Sequence, residues 1–425
     1  MENNYLIRRA HNQNDYKNII ELFDRVFYPE KVGELANVFM KSLPGSKYKY
    51  WFVAEEKETG KIVSSFMLIP WQWEIQAVKL KVAEMGLVGT DEKHRGKGLI
   101  RMLNQEYDTT LSKEGFDMAV IQGIPGFYHK FRYHYALPME NHLNVSLSNI
   151  KNEFDTNEFK VKLAELSDIP FLISEDEKYR KANFISSFRK NDDWEYILSN
   201  ESKSTEYGSE ILIFESQKEK FYCRILPNGF GKGFIVSELS ESISKFAFEN
   251  LLSYLKEEAK KAKKPFIRFN IEENSDCGKM LEDFEVMKSK SDAWQIKIPN
   301  KLIFLKKLKS ILENRIKNSE FNKFSKILRL DFYKETIDLK FENGKIKEFL
   351  FCSENEPDFS FNIPEDLFTS LVLGYRNWVE LQENRPDIGS MLLYLDPEEN
   401  PMNDISGKLC DVLFPKEKSW IKLQY

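Results

Sequence analysis

The stretch Val82-Ala83-Glu84-Met85-Gly86-Leu87-Val88-Gly89-Thr90, followed closely by His94-Arg95-Gly96-Lys97-Gly98-Leu99-Ile100, decides how this chain reads. The first run is short and apolar, as a buried strand is. It ends in a turn. Arg-Gly-x-Gly then opens a helix that continues through Met102, Leu103 and Tyr107. Glycines there let a ligand approach the main chain, which larger side chains would block. The unpaired amides at the helix start, with the positive end of its dipole, suit a phosphate. Arg95 and Lys97 add positive charge beside that anion. A bare Arg-Gly-x-Gly is equally the mark of a surface turn; the strand before it and the helix after it argue for a site. Two familiar phosphate loops do not fit. Leu99 and Ile100 follow Gly98, so Gly-x4-Gly-Lys-Ser/Thr is absent, and the spacing is not Gly-x-Gly-x-x-Gly.

A second strand, Met118-Ala119-Val120-Ile121, follows the helix, and then Phe127-Tyr128-His129-Lys130-Phe131-Arg132-Tyr133. This combination resembles the GNAT N-acetyltransferase superfamily. The resemblance implies a pyrophosphate loop after the fourth strand that cradles coenzyme A, and a catalytic tyrosine in the later segment. Two positions depart from the pattern. Lys93 stands where Gln or Arg is usual and keeps the charge, and Arg132 stands where glycine is usual.

A length of 425 residues predicts two or three domains. A net charge of -5 argues against general nucleic-acid binding, which calls for a basic face. Cys223, Cys277, Cys352 and Cys410 are widely spaced, so neither a zinc site nor a disulfide framework is signalled. His129, His134 and His142 lack a metal-ligand spacing, and no metal is expected. The N-terminus has no basic, apolar leader, and no run is long enough to span a membrane. The expectation is a soluble cytoplasmic protein with no membrane insertion.

Residues 1 to about 150 read as an alternating α/β unit. Residues 151–298 read as a second mixed unit, with strands at Ile211–Phe214, Tyr222–Leu226, Phe234–Val236 and Phe266–Asn270 around a helix from Phe246 to Lys261. Gly229-Phe230-Gly231-Lys232-Gly233 lies between two of those strands and opens no helix, so it reads as a hairpin turn rather than a second phosphate site. Residues 299–425 form a third unit. It opens with a helix over 302–315, has an Asn343-Gly344 hairpin, and has a helix from Pro364 that ends near Gly374.

This order and length resemble the enhanced intracellular survival (Eis) family, with local points at Thr90…His94-Arg95, Phe127–Tyr133, Leu371–Arg376 and Asp411-Val412-Leu413-Phe414-Pro415…Tyr425. The resemblance implies tandem GNAT folds in an α/β (α+β) chain, the second without a coenzyme loop. It implies a sterol-carrier-protein-like third domain whose end docks in the active site, and a homo-oligomer, a hexamer. It also implies acetyl transfer from acetyl-CoA to an amine of a cationic small molecule or peptide. By family position the pantetheine arm lies on Val88, Gly89 and Thr90. The pyrophosphate lies on Arg95, Gly96, Lys97, Gly98, Leu99, Ile100 and Arg101, and Gly123 lies near the thioester. Tyr128 is the expected general acid, although Tyr133 and Tyr135 compete as core or catalytic aromatics. The base is the C-terminal carboxylate of Tyr425 or, ranked behind it, Glu84, whose apolar neighbours would raise its pKa. Against a docked end stands the usual frayed tail; the apolar Trp420-Ile421-Lys422-Leu423-Gln424-Tyr425 argues for docking. Two other readings stay open. One is a non-catalytic acyl-CoA or lipid-binding regulator, and the other is a protein-lysine or longer-chain acyltransferase.

Overall fold

The computed structural model describes residues 4–150, 154, 158–199, 201–385, 388–390 and 405–425, without the side chains of 290, 291 and 390. In the first unit, β1 (Tyr5–Arg9) is followed by α1 (Gln13–Val26), α2 (Val32–Ser42), β2 (Trp51–Glu56), β3 (Ile62–Ile75) and β4 (Val78–Thr90). Then come α3 (Leu99–Glu114), β5 (Met118–Ile121) and β6 (His134–Ser146). Strand alternation divides β4 between two faces. Ala83 and Met85 pack under Leu99, Leu103, Tyr107 and Leu111 of α3. Val82 faces the opposite layer, with Ile19 and Phe23 of α1 and Leu35 and Phe39 of α2. Glu84 shares the face of Val82, which puts its carboxyl on the α1–α2 side of the sheet.

The second unit holds β7 (Lys160–Leu163), α4 (Ile169–Ala182), β8 (Ile185–Ser187), α5 (Asn191–Ser199), β9 (Glu210–Glu215), β10 (Lys220–Leu226), β11 (Phe234–Leu239), α6 (Lys245–Lys261), β12 (Phe266–Phe269) and β13 (Met287–Lys297). The first two units share one sheet, in the order β1-β2-β3-β4-β5-β13-β6-β12-β11-β10-β9-β7, with β8 paired to the far end of β3. β13 therefore sits between β5 and β6 of the first unit, a swap that no local pattern predicts. Parallel pairing recurs at β4–β5 across α3 and at β11–β12 across α6. The Gly229–Gly233 segment joins the antiparallel β10 and β11, as its composition predicts.

The third unit's sheet has the order β16-β15-β14-β17-β18, from β14 (Ile327–Asp331), β15 (Thr336–Glu342), β16 (Lys345–Phe351), β17 (Phe359–Asn362) and β18 (Gly389–Ser390). Asn343 and Gly344 both have positive φ, the twist a tight hairpin needs. The helix predicted over 302–315 is two, Lys301–Lys307 and Lys309–Lys317, broken at Leu308. The helix expected from Pro364 runs over Glu365–Val372 and stops ahead of Gly374, whose φ is +67°. No described helix is long and apolar enough to cross a membrane.

Candidate active site

β4 pairs with β5 only through Val82–Met118, Ala83–Ala119 and Glu84–Val120. Beyond Glu84 the strands part. β4 continues to Thr90 along β3, whereas β5 stops at Ile121. Ser65 of β3 pairs with Gly89 and Met67 with Gly86, so β4 carries one extra residue, and Leu87 there has φ +52°. Such a bulge bends the strand and re-aims its side chains. Two adjoining cavities occupy the resulting wedge, and both touch Phe27, Val88, Ile124 and Tyr128.

The larger cavity, about 700 Å³, lies against Val88–Thr90 and His94–Arg101. Gly96 and Gly98 have φ of +76° and +74°. That left-handed backbone costs other residues about 1–2 kcal/mol. A Cβ on either would meet nothing within 4 Å, so the backbone conformation rather than crowding selects glycine. Gly98 caps the start of α3, whose first amides lack helical partners. Arg95, Lys97, Arg101 and Lys130 line this cavity and, among the described residues, no carboxylate does. Lys97 Nζ donates to Tyr5 Oη at 3.0 Å, and Lys130 Nζ lies 3.6 Å from the Phe127 ring centre. Helix start, cations and volume suit the pyrophosphate and pantetheine of a coenzyme A thioester.

The smaller cavity, about 260 Å³, has the opposite sign. Glu30, Glu84 and Glu206 line it, with no lysine or arginine among the described residues. Glu84 is only 2% exposed. Its Oε2 accepts from Trp71 Nε1 at 2.7 Å, and its Oε1 accepts from Gln122 Nε2 and Tyr425 Oη, each at 3.1 Å. Burial raises the Glu84 pKa, and these three donors only partly offset it. Tyr128, at the junction of the cavities, is buried, and its phenol is pushed up to about 12 by that burial. It therefore stays protonated at neutral pH. Gly123 is required beside it: a Cβ there would lie 2.3 Å from Tyr128 Cδ2.

The chain's last segment closes this site. Phe184 N donates to Lys418 O at 2.7 Å and Trp420 N to Ile185 O at 3.2 Å, which ties the tail to β8. A buried charge cluster grips it farther on. Glu238 accepts from Arg189 and Arg224, both also buried. Arg189 and Arg224 donate to Leu423 O, and Arg224 Nη2 donates to Tyr425 O at 2.8 Å. Burial alone would raise the Glu238 pKa, but the two guanidiniums outweigh it and hold it far below the usual carboxylate range. The Tyr425 ring stacks on Trp71 (5.5 Å between centres) and meets Phe39 edge-on (5.2 Å).

The structure thus brings Tyr128, Glu84, Tyr425 and Gly123 around one cavity, and Val88–Thr90 with Arg95–Arg101 around the other. It places the Tyr425 phenol, not its main-chain oxygen, at Glu84. Tyr133 is buried core and Tyr135 is exposed. Arg132 takes the left-handed conformation of the glycine it replaces, φ +67°, and donates to Glu365 of the third unit. Sequence reasoning missed Gln122, Tyr207 and the Arg189–Arg224–Glu238 cluster. Arg224 inside the apolar Tyr222-Cys223-Arg224-Ile225-Leu226 was a usable signal, because a charge in a buried strand needs a partner.

Residues 7–136 match the family model described as an acetyltransferase (GNAT) domain. No curated protein matches the chain. Among solved structures, a conserved protein of unknown function from Enterococcus faecalis V583, described as a probable N-acyltransferase, is similar with a TM-score of 0.71 and 14% identity, over 99% of each chain. A GCN5-related N-acetyltransferase from Anabaena variabilis gives 0.65 and 11%, over 98% of this chain and 99% of that one. Eis1 from Mycobacterium abscessus gives 0.62 and 12%, over 99% of this chain and all of that one (100%). At these identities the likeness is one of fold along the whole length. The chain is an enzyme whose residues 7–136 form a GNAT acetyltransferase domain, set in a larger fold that these three proteins share.

Proposed function

We propose that the protein is an Eis-like N-acetyltransferase that moves the acetyl group of acetyl-CoA to an amine by direct attack in a ternary complex. One observation carries this reading. Two cavities of opposite charge meet at Tyr128, one lined by four cations and the other by three carboxylates. A polyphosphate donor and an ammonium acceptor are sorted to the two sides by charge alone.

The loop from Arg95 to Arg101 holds the pyrophosphate, and Val88–Thr90 face the pantetheine arm along the strand edge that β5 leaves. An amine must be neutral to attack. Glu84 takes the first ammonium proton. The amine nitrogen then bonds to the acetyl carbon as the carbon–sulfur bond breaks. Tyr128 donates its proton to the departing thiolate and regains one from the acylated nitrogen. Of the two protons the ammonium loses, one ends on the thiol and the other in solvent.

Between the two candidate bases the geometry favours Glu84. A carboxylate held by a buried guanidinium, as the Tyr425 main-chain oxygen is by Arg224, is a poor base. The second reading, with the Tyr425 carboxylate as base, rests on the docked tail. The sterol-carrier likeness of the third unit and a hexamer belong to the same family reading. The test follows thiol release from acetyl-CoA over a panel of amines for intact protein, Glu84→Gln, and variants shortened by Tyr425 or extended beyond it. Loss in Glu84→Gln, with residual turnover after extension, supports Glu84. Loss on both tail changes with activity kept in Glu84→Gln makes the carboxylate the base. Silence of intact protein with every amine overturns the transferase reading.

A further inference from the structure

The acceptor-side cavity has an asymmetric lining. A run of rings, Phe39–Tyr425–Tyr207–Phe230, crosses it with neighbouring centres 5.2, 5.3 and 5.8 Å apart. Phe39 is buried and Phe230 is 45% exposed, so the run leads from the interior to the mouth. Glu84 is the buried carboxylate, whereas Glu30 is exposed and Glu206 half-buried. Neither Glu30 nor Glu206 has a side-chain hydrogen bond or ion pair among the described residues. All three act on one group. Burial first, and then the charges of Glu84, Glu140, Glu206 and Glu30, push up the Tyr207 phenol. Carboxylate charge therefore lies both deep in the cavity and at its rim, with aromatic wall between.

We propose that the acceptor is a compact diamine whose two ammonium groups are separated by an aromatic or similarly flat apolar spacer. This rests on the transferase reading above and names its substrate. The reacting amine lies at Glu84, beside Tyr128. The spacer lies along Tyr425, Tyr207 and Phe230, and the second ammonium meets Glu30 and Glu206 at the rim. Ring faces attract an organic cation during entry. The cavity is less than half the volume of the coenzyme side. That size disfavours oligosaccharide amines and peptides. Acetylation turns the inner ammonium into a neutral amide, which removes its attraction to Glu84 and favours release. Glu206, Tyr207 and Phe230 come from the second unit, so that unit selects the substrate while the first performs the transfer.

Thiol release from acetyl-CoA by the full chain tests this with p-xylylenediamine, 4-methylbenzylamine, kanamycin A and a lysine-containing tetrapeptide. The diamine should exceed the monoamine in kcat/KM by about tenfold, mostly through KM, and the excess should shrink with added salt. In the double variant Glu30→Gln/Glu206→Gln the diamine-to-monoamine ratio should fall towards one. Neither side chain has a partner among the described residues, so the fold is kept, and unchanged acetyl-CoA affinity checks it. A ratio near one in the intact protein, a ratio that survives the double variant, or faster turnover of kanamycin A or the peptide overturns the diamine assignment and leaves the transferase standing. No thiol release with any amine overturns both.

Discussion

The Tyr425 hydroxyl donates to Glu84 Oε1 at 3.1 Å across 341 positions of sequence. The contact joins the last residue of the chain to the strand that opens the coenzyme wedge. It makes the protonation of Glu84 depend on the tail. Tyr425→Phe removes one of three donors to that carboxylate. Each donor pulls the Glu84 pKa down against burial. Protonated Glu84 cannot accept the amine proton, so activity is lost as pH falls through the raised pKa. Without the Tyr425 donor the acidic limb of the kcat/KM profile should move to higher pH by about one unit, the scale of one charge-assisted hydrogen bond. A limb that stays in place removes Glu84 from the proton path.

Tyr128→Phe deletes the proposed acid and keeps the ring. General acid–base groups contribute about 10²–10⁴-fold. The expected result is a loss of that order in kcat, with acetyl-CoA affinity kept in a direct titration. An unaltered kcat/KM across several amines refutes the role of Tyr128.

Gly123→Ala should act through Tyr128. The added Cβ would lie 2.3 and 2.6 Å from Cδ2 and Cε2 of that ring, which must move. Activity should drop by more than tenfold with the fold intact. In the double variant with Tyr128→Phe the two losses should not add, as expected of residues in contact. Additive losses mean that Gly123 works independently of the phenol.

Glu238→Gln breaks a buried ion cluster and leaves Arg189 and Arg224 without their carboxylate. Such a break costs about 3–5 kcal/mol. The sign with pH follows from the folded pKa, which lies far below the unfolded one near 4.3. The stabilisation is complete above about pH 4.3 and is lost as pH falls towards the folded value. Urea unfolding should show the full deficit of the variant at pH 7 and a smaller one in acid. Because the same arginines hold Leu423 and Tyr425, turnover should fall as well.

Arg132→Gly should cost little or even stabilise. Glycine relieves a left-handed position worth about 1–2 kcal/mol. The lost contact is with Glu365, and exposed ion pairs contribute about 0–1 kcal/mol. Arg132 and Glu365 are both partly exposed. A clear loss of stability in urea would show that this link to the third unit is worth more than its exposure suggests.

Local physics made much of this protein readable in its sequence. The apolar run up to Thr90, the two glycines at positive φ and the helix after them are short-range features. Backbone sterics and the orphaned amides of a helix start determine them within a few residues. Asn343-Gly344 and the hairpin over Gly229–Gly233 were legible for the same reason. The sequence also marked Glu84 as a carboxylate among apolar neighbours, though not which layer would cover it. Tertiary structure decided that. Strand alternation puts Glu84 on the α1–α2 face, where β3 sets Trp71 and the end of β5 sets Gln122 against it, and the packed tail adds Tyr425. The placement of β13 between β5 and β6, the grip of Arg189, Arg224 and Glu238 on the tail, and the contribution of Tyr207 to the acceptor cavity are long-range contacts. Most of their partners lie more than a hundred residues apart, and periodicity and propensity carry no information over such separations. Burial and charge pairing select them only once the whole chain is packed.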